Sequence, residues 1–146
     1  MPISYSILHD PDVLLVSYQG TVTNRDFLGG YKSAYADPRY IPGMPEISDM
    51  RRMQIYDIDM NAIQEMITWL AGRECLEGKI IQVGVLVSNE LHDGVSRLYR
   101  AVSDVYGKEK LKNFADLRSA LDWLPIDEAD YPKVDTQLSA LAGAPG

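Results

Sequence analysis

Three kinds of side chain in this 146-residue sequence are candidates for chemistry: a lone cysteine, two histidines and a group of aspartates. Cys75 follows Arg73 and Glu74 near the C-terminal end of a helix. A reactive thiol needs a helix N-terminus or a basic neighbour, and a helix C-terminus acts the other way, so Cys75 reads as structural. His9 and His92 belong to no HxxxH, HxH or CxxC pattern, and no metal is expected. Asp57 and Asp59, with Asp49, could form a carboxylate pair for acid–base work. Their ordinary duties explain them as well: Asp59 caps a helix, Asp57 turns a loop, and Asp49 pairs with Arg51 or Arg52. No G-x-S-x-G, P-loop or G-x-G-x-x-G is present. The expectation is therefore no enzyme, no catalytic residue and no cofactor. An enzyme using Asp57 and Asp59 is the third-ranked alternative.

Nine tyrosines stand against two phenylalanines. Tyr31, Tyr35, Tyr40, Tyr56, Tyr99 and Tyr106 suit half-buried places, where the ring packs and the hydroxyl reaches water or a ligand. They read as residues at the core's edge, or as an aromatic-lined pocket or interface. Ser88-Asn89-Glu90 follows the most apolar strand, and ligands of open α/β sheets favour that carboxyl edge. Free backbone N–H groups at the starts of the second and third helices could hold a small anion there, although Glu90 and Asp93 oppose a highly charged one. The expected binding crest comprises Asp49, Arg51, Tyr56, Asp57, Asp59, Ser88, Asn89 and Glu90.

These residues must be positioned by alternating strands and helices. Ile3, Tyr5 and Ile7 alternate with serines, the two-residue period of a half-exposed strand. After the turn His9–Asp12, Val13 to Tyr18 makes a second, antiparallel strand ending at Gly20. Thr23 or Asn24 caps a helix whose inner face carries Phe27, Tyr31 and Tyr35. Pro38 to Pro45 reads as a loop, Glu46 to Met50 as a short strand, and Arg51 to Ile58 as another loop. Asp59 begins a helix burying Ile63, Met66, Ile67 and Leu70. Ile80 to Val87 is apolar on both faces, as a central parallel strand must be. Ser88 then caps a long helix with Leu91, Val95, Leu98, Val102 and Val105 as its inner stripe, ended by Gly107. Lys108 to Phe114 makes a charged edge strand, and Asp116 starts a helix burying Leu117, Ala120, Leu121 and Leu124. The order β-β-α-β-α-β-α-β-α gives an α/β domain over residues 1–124, with a mostly parallel five-stranded sheet and an antiparallel N-terminal strand. Residues 125–146 read as an acidic to small-residue tail with at most one or two helical turns near 137–142.

Composition fits a single globular domain: 46% of residues are hydrophobic and 24% charged. Fourteen basic and twenty-one acidic residues give a net charge of −7, which disfavours nucleic acid and anionic membranes as partners. The longest apolar run is too short to span a bilayer, so no stable membrane insertion is expected. Nothing near Met1 resembles a secretion signal, and a cytoplasmic setting is expected.

Several stretches carry a resemblance: Gly20-Thr21-Val22-Thr23 leading into the first helix, and Asp37-Pro38-Arg39-Tyr40-Ile41-Pro42-Gly43 after it. Asp49-Met50-Arg51 and the ending Phe114–Leu117 with Ala120–Leu124 complete the set. Over residues 3 to 124 the chain resembles the SpoIIAA-like (STAS, anti-sigma factor antagonist) fold, and within it the small bacterial proteins related to the CRAL-TRIO lipid-carrier domain. In regulatory members, an Asp followed by a phosphorylatable Ser opens the helix after the third strand. Here Asp57-Ile58-Asp59-Met60 supplies the Asp without a Ser or Thr, so phosphorylation control is not implied. The resemblance implies a non-enzymatic binding or regulatory module for a small apolar or amphipathic ligand or a partner protein. The alternative is a partner-switching protein or a homodimer, using exposed surface of the first or second helix or the acidic tail.

Overall fold

A computed structural model describes residues 2–143. Five strands form one sheet in the order in which they are made: β1 (Ile3–Leu8), β2 (Val13–Thr23), β3 (Glu46–Asp57), β4 (Ile81–Leu86) and β5 (Glu109–Phe114). β1 runs antiparallel to β2, and the other pairings are parallel. β4 lies between β3 and β5, interior as its apolar sequence requires, while β3 holds the middle position. Three helices, α1 (Asn24–Ala36), α2 (Met60–Ala71) and α3 (Glu90–Tyr106), connect the parallel strands and share one face of the sheet. The opposite face is covered by α4 (Leu117–Trp123) and α5 (Tyr131–Ala142).

Alternation along the strands divides the core. Leu14, Val16 and Tyr18 of β2 face α1 to α3, whereas Val13 and Leu15 face α4 and α5. α4 sits close to β4 because position 84 is glycine: a Cβ there would stand 3.3 Å from that of Ala120. Side chains cap the helices as the sequence suggests, with Thr23 and Asp26 forming a capping box on α1, Asp59 accepting from Ala62 N on α2, and Gly107 ending α3 at φ 66°.

Four expectations are corrected. Residues 51–57 are strand, because β2 also continues past Gly20 to Thr23 and offers partners from Gln19↔Arg52 to Thr23↔Asp57. The cap of α3 is Asn89, whose side chain accepts from His92 N, and not Ser88. The inner face of α3 is His92, Val95, Ser96 and Ser103, which turns Leu91, Leu98 and Val105 outward. Beyond residue 124 lies α5, a packed helix where one or two turns were expected. Val134, Leu138 and Ala142, four residues apart, bury one face against the sheet, and Pro132 opens its first turn. Residues 144–146 of the expected tail lie outside the described residues.

Candidate functional site

Under the α1–α3 layer, two carboxyl groups and a set of phenols meet on the sheet. Glu46 and Ser48 are alternate residues of β3 and so point the same way; Glu109 opens β5; Tyr18 comes from β2. α1 adds Tyr31 and Tyr35 one helical turn apart, and α3 adds Tyr99 and Ser103 at the same spacing. All the hydroxyls but one are bonded, in one group around Glu46 and another around Glu109. The Tyr18 and Tyr31 oxygens lie 2.6 Å apart, Tyr31 lies 2.8 Å from Ser48 Oγ, and Ser48 donates to Glu46 Oε2 at 3.0 Å. Tyr35 donates to Glu46 Oε1 at 2.5 Å. Tyr99 and Ser103 donate to Glu109 Oε1 at 2.6 and 3.3 Å. The exception is Tyr56, whose buried hydroxyl has no hydrogen-bond partner.

These groups, except Tyr35 and Ser103, line a cavity of about 30 Å³ together with Phe27, Met50, Ile63 and Val95. Burial raises both carboxyls, Glu46 to about 8, helped by repulsion from Glu109, and Glu109 to about 7. Burial likewise pushes the Tyr18, Tyr31, Tyr35 and Tyr99 phenols above their ordinary value. Near neutral pH the phenols and Glu46 therefore hold their protons for the most part, while Glu109 is close to half ionised.

The residues expected to form a binding crest do not converge. Asp49, nearly fully buried, takes a two-pronged contact from Arg51 at 2.9 and 3.0 Å on the α5 side of the sheet, beside Asp135 and Ser139. Tyr56 instead lines the cavity on the other side. Asp57 is exposed at the end of β3, and Asp59 caps α2 while bonding Asn24 at the start of α1. Ser88 approaches His92 Nδ1 and the Arg51 carbonyl, Asn89 caps α3, and Glu90 projects into solvent. His92 is fully buried and bridges two elements: Nε2 donates to the Met53 carbonyl at 2.8 Å, and Nδ1 accepts from Ser88 N at 3.2 Å. That pins the extended end of β3 to the start of α3. Among the tyrosines singled out from composition, Tyr31, Tyr56 and Tyr99 reach the cavity, whereas Tyr106 is exposed.

Glu46, Glu109, Ser48 and Tyr18 were not foreseen. The available signal was the two-residue step Glu46-Ser48 at the start of β3, combined with tyrosines one turn apart on α1. Among the described residues, no group of three or more His, Cys, Asp or Glu could hold a metal ion. None of their helices is long and apolar enough to cross a membrane.

No family model matches the chain, and no curated protein does. Among solved structures, it is similar to an uncharacterised protein of the DUF3478 family from Shewanella loihica PV-4 with a SpoIIAA-like fold. The TM-score is 0.53 and the identity 18%, over 84% of this chain and 91% of that one. The sequential sheet, the antiparallel first strand and the helices on both faces agree with that likeness: this chain has the SpoIIAA-like α/β fold.

Proposed function

We propose that the chain is a non-enzymatic binding module that works by docking protein, with a second copy of itself as the partner. One observation carries this reading. Leu91, Leu98 and Val105 recur every seven residues on α3 and are 42%, 40% and 80% exposed. α1 and α2, by contrast, turn their apolar stripes into the core. Between the exposed large residues lie exposed Gly94 and Ala101. An antiparallel pairing that sets Leu98 of one copy over Gly94 of the other also sets Leu91 over Ala101, so both leucines meet a small residue.

The cavity argues against the other occupant considered, a lipid-sized molecule. Sites for such ligands enclose roughly 300–1,000 Å³, and this one encloses about 30 Å³. Sedimentation from low to high micromolar concentration tests the proposal. The unaltered chain should dimerise, and Leu98→Asp or Gly94→Leu should weaken the dimer roughly tenfold or more while leaving the circular dichroism unchanged. A monomer at every concentration would overturn it.

A further inference from the structure

The two halves of α3 are held to the sheet in different ways. The first half rests on buried His92, Val95 and Ser96. It is tied to β3 through the Met53 carbonyl, and to β5 through Asn113, which accepts from Ser96 and donates to Asp93. From Arg97 to Tyr106 only Ser103 is fully buried. That half buries no apolar side chain completely, and its hydrogen bonds to the sheet, from Tyr99 and Ser103, both end on one atom, Oε1 of Glu109. The same turns carry Leu98 and Val105 on their outer side.

We propose that Glu109 is a proton-operated latch: with its proton on, it keeps residues 97–107 docked on β5, and as it ionises that stretch opens off the sheet as a local unit. The apolar stripe that the latch would dismantle rests on the docking role given above; the latch itself does not. An ionised Glu109 is a charge shut behind a wall in which, among the described residues, no Lys, Arg or His appears. Opening the half-helix brings water to that charge, and so short a stretch does not stay helical without its support.

The titratable groups around Glu109 are Glu46 from β3, Tyr18 from β2, Tyr31 and Tyr35 from α1, Tyr40 from the loop before β3 and Tyr99 from α3. α2 and β4 present apolar Ile63, Ile81 and Val83. Lys108 reaches away to the Leu76 carbonyl, and exposed Lys110 lies on the other side of the strand. Burial places Glu109 at about 7 in the docked form, and water returns it toward 4.5 in the opened one. The docked form thus holds a proton that the opened form releases. Opening is rarest in acid, grows as the pH rises and levels off above about 7. From about pH 5.5 to about pH 8.5 the opened population should rise roughly thirtyfold.

Amide hydrogen exchange across α3, corrected for the intrinsic effect of pH, tests the latch. It is run at a concentration low enough to keep the chain monomeric, beside Gly94→Leu, which adds no charge, so a failure of the docking reading alters neither measurement. Exchange of residues 97–107 should be faster than that of Met66, Ile67 and Leu70 in α2, and should quicken roughly thirtyfold over that pH range. Glu109→Gln should hold it near the acid rate throughout. Tyr99→Phe, which keeps the ring and removes one donor, should raise it several-fold already at about pH 5.5. A rise of less than about threefold, the same rise in Glu109→Gln, or equal rates in α3 and α2 would refute the latch.

Discussion

Raising the pH through neutrality should destabilise this protein, and Glu109→Gln should remove about half of that loss. Glu46 and Glu109 are 2% and 7% exposed, and burial moves them from 4.5 to about 8 and about 7. In the unfolded chain both ionise near the ordinary value. Between the two states' values the folded protein holds protons that the unfolded chain has released. Their contribution is thus fully present below about pH 4.5 and is lost as the pH rises through 7 and 8. At about 1.4 kcal/mol for each unit, going from about pH 5 to about pH 8.5 removes roughly 3 kcal/mol through Glu109 alone, and Glu46 adds a loss of similar size. Glutamine keeps the shape and still accepts from Tyr99 and Ser103, but has no proton to lose. Asp37, Asp59 and Asp116 are held below their ordinary 3.8 by hydrogen bonds, so they act only in more acid solution and leave this window to the glutamates. Urea unfolding followed through Trp69 and Trp123 fluorescence at a series of pH values measures the slope. A flat profile for the unaltered chain, or an equal slope in Glu109→Gln, would refute the reasoning.

Arg51→Ala should cost roughly 3 kcal/mol at neutral pH, because it leaves the buried Asp49 carboxylate without its counter-charge; a loss below about 1 kcal/mol in urea unfolding would show that water replaces the guanidinium. Removing residues 131–146 should cost at least roughly 4 kcal/mol, since Val134 and Leu138, both fully buried, leave Val13 and Leu15 bare. The shortened chain should melt far lower or aggregate, and an unchanged Tm would contradict the packing described for α5.

Much of the fold was legible because local signals agreed. Asp59, followed by Ile63, Met66, Ile67 and Leu70, marks both the start and the buried face of α2, and the doubly apolar run of β4 announces an interior strand. α3 misled because it carries two stripes side by side. The more hydrophobic one, Leu91-Leu98-Val105, faces water, while His92, Ser96 and Ser103 are buried because they bond groups on neighbouring elements. Hydrophobicity cannot rank a serine with a buried partner above an exposed leucine. Glu109 was hidden for the same reason: in the run Glu-Lys-Leu-Lys-Asn-Phe it looks like one more charge on a solvent edge. Only the placement of β5 two strands from β3 shows that it meets Glu46's side of the sheet. The overhanging ends of β2 and β3 were missed because each supplies the other's hydrogen-bond partners, and neither stretch reads as strand alone.

Strands laid down in strict succession have one more consequence. Open α/β sheets form their usual binding crevice where adjacent strands send their connections to opposite sides and part at the crest. Here β2, β3 and β4 each hand on to the next strand beneath one roof, whereas β5 passes to α4 on the opposite face, so the connections diverge at the carboxyl ends of β4 and β5. The crest of this sheet therefore parts beside its border strand and not at its centre.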